Sequence, residues 1–323
     1  MAGPAAGGDA GGAAAEQTEF DVELTSFGTA KIKVINHVLP METEAFERAL
    51  QVMVNDGIIS VFSNSSNGDS LDYIKFSNDR VQQAAYLQND LMAKDLVHYQ
   101  IAEFYLELYD SHEADEFIFN YIEHLNLGAS YYLKQKQQTM LVKRNLVAAK
   151  KAFESNAYLG SLYYFEQSEG FLPSDHWQQA YQLSYEITLG MAKALYLTQD
   201  YERANELFKH ANVHITKTTH RLSIYTIQIQ SLIAQNKIQD AMTLGVNILR
   251  EVGVELPPES NPADYYLSIA QHYERKHISE LISLPEMTAT IDLLTLDVLN
   301  TMQTPAYLLG PEHFMKVAYA SLE

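Results

Sequence analysis

"YERANELFKHANVHI", Tyr201 to Ile215, decides the fold, because two other stretches of the chain follow its pattern. "YLGSLYYFEQSEGFL" from Tyr158 and "IQDAMTLGVNILREV" from Ile238 lie over it with core positions at offsets 0, 3, 7, 10 and 14. Those positions read Tyr158, Ser161, Phe165, Ser168, Leu172, then Tyr201, Ala204, Phe208, Ala211, Ile215, then Ile238, Ala241, Gly245, Ile248, Val252. Steps of three and four trace one stripe down an α-helix, so each stretch is expected to bury one face. A small residue at offset 3 in all three lets a paired helix come close, and Ala149, Ala192 and Ile229 stand nine residues before each start on the preceding helix. The starts are 43 and 37 residues apart, longer than the tetratricopeptide period of about 34. Helical hairpins of this kind stack because none buries its apolar face alone, and they build a superhelix whose concave surface is the expected binding site.

Upstream the pattern changes. Residues 1–17, beginning "MAGPAAGGDAGGAAA", hold little beyond glycine and alanine and read as a flexible leader. Ala30 to Leu39 and Met41 to Asn55 read as helices, the second with Phe46, Leu50 and Val54 at i, i+4 and i+8. "IISVF" (58–62) and "LDYIKF" (71–76) read as strands around the hairpin signal Asn67-Gly68-Asp69. Helices followed by a two-stranded wing give the order of a winged helix over residues 18–86. From Val81 onward the pattern is helical, with helices expected at Arg80–Leu87, Asp90–Tyr109, Glu116–Tyr132, Thr139–Glu154, Ala157–Gly170, Ser174–Leu197, Tyr201–Thr216, Thr219–Gln235 and Ile238–Val252, and shorter ones to the end. The expected fold class is therefore mainly all-α: a small winged-helix domain, then a tetratricopeptide-like α-superhelix over residues 87–323 that reads as truncated at its C-terminal end.

"KFSNDRVQQAAYLQND" (75–90) joins the two. Asn78 or Asp79 can cap the next helix, since a side-chain oxygen accepts from its otherwise unpaired amides. Arg80, Gln82, Gln83 and Tyr86 are then left for a neighbouring module or water, making this polar stretch an interdomain joint.

Composition excludes several functions. The chain has no cysteine, which removes disulfides and thiol chemistry, and no apolar run of membrane-spanning length, so a cytoplasmic protein is expected. Net charge is −19, and Glu16 to Gln135 holds 20 acidic against 7 basic residues. Residues 16–86 alone hold 11 acidic and 5 basic, so the winged helix reads as a spacer and nucleic acid as an unlikely partner. Neither G-x-x-x-x-G-K-[ST] nor G-x-G-x-x-G occurs, so no cofactor is expected. His210 and His214, one turn apart and followed by His220, lack the H-E-x-x-H carboxylate and read as solvated-face histidines instead of a metal site. The acidic run "DSHEADEF" (110–117) reads as a solvated loop. In the tyrosine pairs 131/132, 163/164 and 265/266, one ring is expected inward and the other at the boundary.

"FSNDRVQQAAY" (76–86), "HLNLGA" (124–129), "LPEMTA" (284–289) and "PAYLLGPEHF" (305–314) together resemble the helical segment of large AAA-ATPase-containing hybrid sensor histidine kinases. In that family an ATPase module precedes a winged helix and a tetratricopeptide-like superhelix, and GAF or PAS and histidine-kinase domains follow. The resemblance runs from about Phe20 to Glu323, with Asn78 standing where the family commonly has histidine. It implies a non-catalytic regulatory fragment in signal transduction, relaying protein or peptide binding to ATPase or kinase domains not present in this chain. Two other readings remain open: a free-standing adaptor binding a peptide in its groove, and a winged-helix transcription regulator.

Overall fold

The computed structural model describes residues 29–32, 34, 42–64, 71–78, 80, 91–109, 115, 117–258, 262–274, 283 and 286–322. Among these the chain is mainly helical, with one three-stranded antiparallel sheet. It forms two compact units, 1–151 and 152–323. That boundary falls within the helix Gln138–Glu154.

In the first unit, the helix α1 (Thr43–Asn55) buries Phe46 and packs on strand β2 (Ile59–Asn64). β2 pairs with β3 (Leu71–Phe76) in the register Ile59↔Phe76 to Asn64↔Leu71, and the hairpin signal Asn67-Gly68-Asp69 lies outside the described residues. The expected helix from Ala30 is corrected at its start: β1 (Thr29–Lys31) is a strand, with Ala30 opposite Ile74. The physical reason is the free edge of β3, whose N–H and C=O groups take a second strand; the sheet order is β1-β3-β2. The expected helix Arg80–Leu87 lies outside the described residues except for Arg80.

α2 (Leu91–Leu108) packs against α3 (Ile122–Leu127) and α4 (Ala129–Lys134), and α5 spans Gln138–Glu154. Glu116–Tyr132, expected as one helix, is instead a 3₁₀ turn (Ile118–Asn120) followed by α3 and α4. The chain breaks at Gly128 because the α2 backbone passes so close that a Cβ there would sit 2.6 Å from Tyr99 N. Only glycine fits such an approach.

The second unit continues with α6 (Tyr158–Gly170), α7 (His176–Gln179), α8 (Tyr181–Leu197), α9 (Tyr201–His214), α10 (Thr218–Ala234), α11 (Ile238–Glu251), α12 (Pro262–Glu274), α13 (Thr290–Leu309) and α14 (Pro311–Ala320). α6 packs on α8, α8 on α9 and α10, α10 on α11 and α13, and α14 on α12 and α13. Gly310 at φ 130° ends α13, and Pro311 at the first position of α14 starts the next helix, where its missing N–H costs nothing.

One backbone turn recurs at four helix junctions. Lys136, Asn156, Gln199 and Asn236 each take a left-handed φ between 58° and 62°. In each case the following N–H reaches back to the carbonyl five residues earlier: Gln137 to Tyr132, Ala157 to Ala152, Asp200 to Leu195 and Lys237 to Leu232, all at 2.9–3.0 Å. This is the Schellman closure, which satisfies carbonyls that a helix end would leave unpaired. The next helix starts at once, so α5 and α6, α8 and α9, and α10 and α11 are each linked by three residues.

Of the repeat positions, Ser161, Phe165, Ser168, Ala204, Phe208, Ala211, Ile215, Ala241, Gly245 and Ile248 are buried, and Tyr158, Tyr201 and Ile238 are half-buried. Offset 7 carries large and small residues in complementary fashion. Phe165 presses its ring on Gly190 of α8, where a Cβ would lie 2.0 Å from the ring, whereas Gly245 receives Met302 of α13. Both contacts fill one helix interface with a single bulky side chain.

Candidate functional site

The half-exposed aromatic and histidine side chains of the second unit gather where α7, α8, α9 and the start of α10 meet. α7 is a single turn whose chain direction changes at Ala180 (φ −135°, ψ 41°), which divides the expected helix Ser174–Leu197. That bend leaves Trp177 against α9, its ring parallel to His214 at 5.4 Å and 6.2 Å from His210. His210 and His214 stand 4.5 Å apart, one turn from each other. Next to them His220 lies parallel to Tyr185 at 3.5 Å and to Tyr181 at 5.6 Å. The Tyr181 hydroxyl accepts from the Lys217 amide at 3.3 Å and meets His220 Nδ1 at 3.2 Å, while the Lys217 ammonium sits over the Tyr181 ring at 5.4 Å.

Burial lowers the pKa of His176, with repulsion from His210 and His214 adding to it. Burial also lowers His210, helped by His214, and lowers His220, helped by Lys217 and opposed by Glu186. His176, His210 and His220 are thus biased towards uncharged imidazoles, which pack on aromatic faces without a desolvation cost for charge. Trp177 Nε1 is buried without an acceptor among the described residues, a donor left open beside a half-exposed ring.

His176 Nδ1 lies 2.8 Å from Ser184 Oγ, a spacing that suits nucleophile activation. Burial decides against it. Ser184 is 1% exposed, and its single hydrogen points to the Ala180 or His176 carbonyl, at 3.0 and 3.1 Å. The oxygen then accepts from His176 Nδ1–H, so the pair locks α7 to α8 and presents no nucleophile. What the surface offers instead is aromatic area and the Lys217 ammonium, components of a protein contact.

The joint is described only at its start. Asn78 is exposed and its Oδ1 accepts from the Arg80 amide at 2.8 Å, while the helix it was expected to cap lies outside the described residues beyond Arg80. Arg80 is exposed; Asp79, Gln82, Gln83 and Tyr86 lie outside the described residues. Among the tyrosine pairs, Tyr132, Tyr164 and Tyr265 are buried and Tyr266 is 66% exposed.

Periodicity alone did not single out Trp177, Tyr181 and Tyr185, because their partners come from other helices. "HLNLGA" proves to be a packing motif of the first unit. His124 Nδ1 meets His98 Nδ1 at 2.8 Å, and burial lowers both imidazoles, His124 to about 3. Asn126 and Asn145 exchange two side-chain bonds at 2.9 and 2.7 Å. Gly128 permits the close crossing of α2.

Among curated proteins, the chain is similar to the large ribosomal subunit protein bL12 of Leuconostoc citreum, 71% identical over 34 residues, covering 10% of this chain and 28% of that protein. The bL12 of Bacillus thuringiensis is 51% identical over 51 residues, covering 16% of this chain and 43% of that protein. The chain thus spans less than half the length of these relatives. No family model matches it, and no solved structure matches it.

Proposed function

We propose that this chain is a non-catalytic regulatory and protein-interaction segment of a cytoplasmic multidomain sensor kinase, built as a small winged-helix domain followed by a tetratricopeptide-like superhelix. The observation that supports the interaction reading is the succession of helices joined by three-residue links at Asn156, Gln199 and Asn236, each packed on its neighbours, since stacked helical hairpins build an extended binding surface. The sheet order β1-β3-β2 with α1 packed on β2 supports the winged-helix reading. Trp177, Tyr181 and Lys217 supply the contact chemistry, and the four ordered motifs support a kinase parent.

The test is to purify the chain and assay ATP hydrolysis and autophosphorylation, then measure by calorimetry its binding to ATPase and histidine-kinase domains of the parent class. Background turnover is expected, together with saturable binding to one of the domains that is weakened about tenfold or more by Trp177→Ala, the usual range for an aromatic anchor. Turnover that survives purification, or binding indifferent to Trp177, would overturn the proposal.

A further inference from the structure

Acidic residues stop at Glu123 and resume at Glu154; between them stand Lys134, Lys136, Lys143, Arg144, Lys150 and Lys151. In a chain of net charge −19 this run creates a local field of opposite sign. Helical geometry sorts it. Leu141, Val142, Asn145, Ala148 and Ala149 of α5 are buried. Met140, Lys143, Arg144, Val147 and Lys150, spaced three and four apart, share the opposite flank and line an open groove of about 620 Å³ together with Leu146 and Asp115. Its floor is apolar, and the lysines at its rim are exposed.

We propose that this groove binds an acidic amphipathic helix of a partner protein, apolar side chains on Met140 and Val147 and carboxylates on Lys143 and Lys150. The Asp115 carboxylate already sits on the Arg144 guanidinium at one edge, an internal example of the seat. Lys143 and Lys150 are two turns apart, about 10 Å along α5. Carboxylates spaced seven residues apart on a partner helix meet both, whereas an isolated phosphate meets one. A phosphodiester chain finds no aromatic ring in the groove for base stacking and faces the Asp115 charge. An amphipathic helix laid into an apolar groove uses both features at once.

The inference shares with the reading above only the premise that the chain binds protein; it stands on a different surface, and loss of Trp177 leaves it untouched. A fluorescein-labelled synthetic helix with glutamates seven apart and leucines between them, titrated with the full chain, tests it by polarisation. Micromolar binding is expected, weakened about tenfold or more by Lys143→Glu with Lys150→Glu and by a smaller factor by Lys143→Gln, as for charges facing charges across a contact. Lys143 is exposed, so the melting curve of Lys143→Gln should match that of the parent chain. Equal binding by the charge-reversed chain, by a peptide with lysine in place of glutamate, or by polyglutamate without leucines would overturn the proposal. So would peptide binding that appears only after Asp110, Glu113 and Glu116 are neutralised, which would assign the groove to the chain's own acidic run.

Discussion

Two buried polar pairs of the first unit carry the residue-scale predictions. Asn145 is fully buried, and besides its exchange with Asn126 its Nδ2 donates to the Leu141 carbonyl at 3.0 Å. Asn145→Ala leaves the Asn126 amide without its partner inside the protein, and urea denaturation should show a loss of about 1–3 kcal/mol. The His98–His124 contact needs one Nδ1 to donate and the other to accept, which a doubly protonated pair cannot do. Burial holds both values below the ordinary 6.5, so the unfolded chain binds more protons in acid. Their contribution to stability is therefore complete above about pH 6.5 and is lost as pH falls towards 3, with a slope of at most about 1.4 kcal/mol per pH unit for each proton. Urea midpoints at pH 7.5 and pH 5 should differ in that direction, and His124→Gln should flatten the dependence; a flat profile in the parent chain would contradict the pairing. The sequence singled out "HLNLGA" but not these roles, because His98 and Asn145 stand 26 and 19 positions away.

Helices are the scale at which the sequence was most legible. Spacings of three and four located α5, α6, α9, α10 and α11 within one or two residues, although α10 buries two faces, Leu222 and Ile229 on one and Ile224, Ile227 and Ser231 on the other. The breaks at Gly128 and Ala180 escaped that reading because their causes are tertiary: the passage of α2 at Gly128, and the His176–Ser184 lock beside Ala180. The three close-packed glycines should respond to alanine in order. At Gly128 the obstacle is backbone, at Gly190 a stiff Phe165 ring, and at Gly245 the flexible Met302 side chain. Thermal melts should rank Gly128→Ala as most destabilising and Gly245→Ala as least, within the roughly 1–3 kcal/mol range of overpacking. Phe165→Leu should recover part of the Gly190→Ala loss. The recurrent turn is testable separately. Gln199→Val places a β-branched residue at φ 61° and should cost about 1–2 kcal/mol, while Asn156→Gly should be close to neutral.

At the scale of the whole chain, charge and side-chain chemistry divide along the sequence. Acidic residues outnumber basic ones up to Glu123, the cationic flank of α5 follows, and the aromatic and histidine side chains of α7 to α10 come next. Composition made the acidic bias legible and kept nucleic acid out of the functional reading, but averaging over residues 16–135 hid the cationic run that begins at its end. The aromatic cluster was legible only as scattered residues, because helix packing assembles it. The central proposal is that these surfaces serve a sensor kinase whose chemistry lies in other domains. Sequencing the transcript that encodes this chain, through both flanks, tests it most directly. The account predicts one continuous reading frame with a P-loop ATPase before residue 1 and a histidine-kinase phosphoacceptor after Glu323. A transcript that encodes this chain in a frame with neither would contradict it.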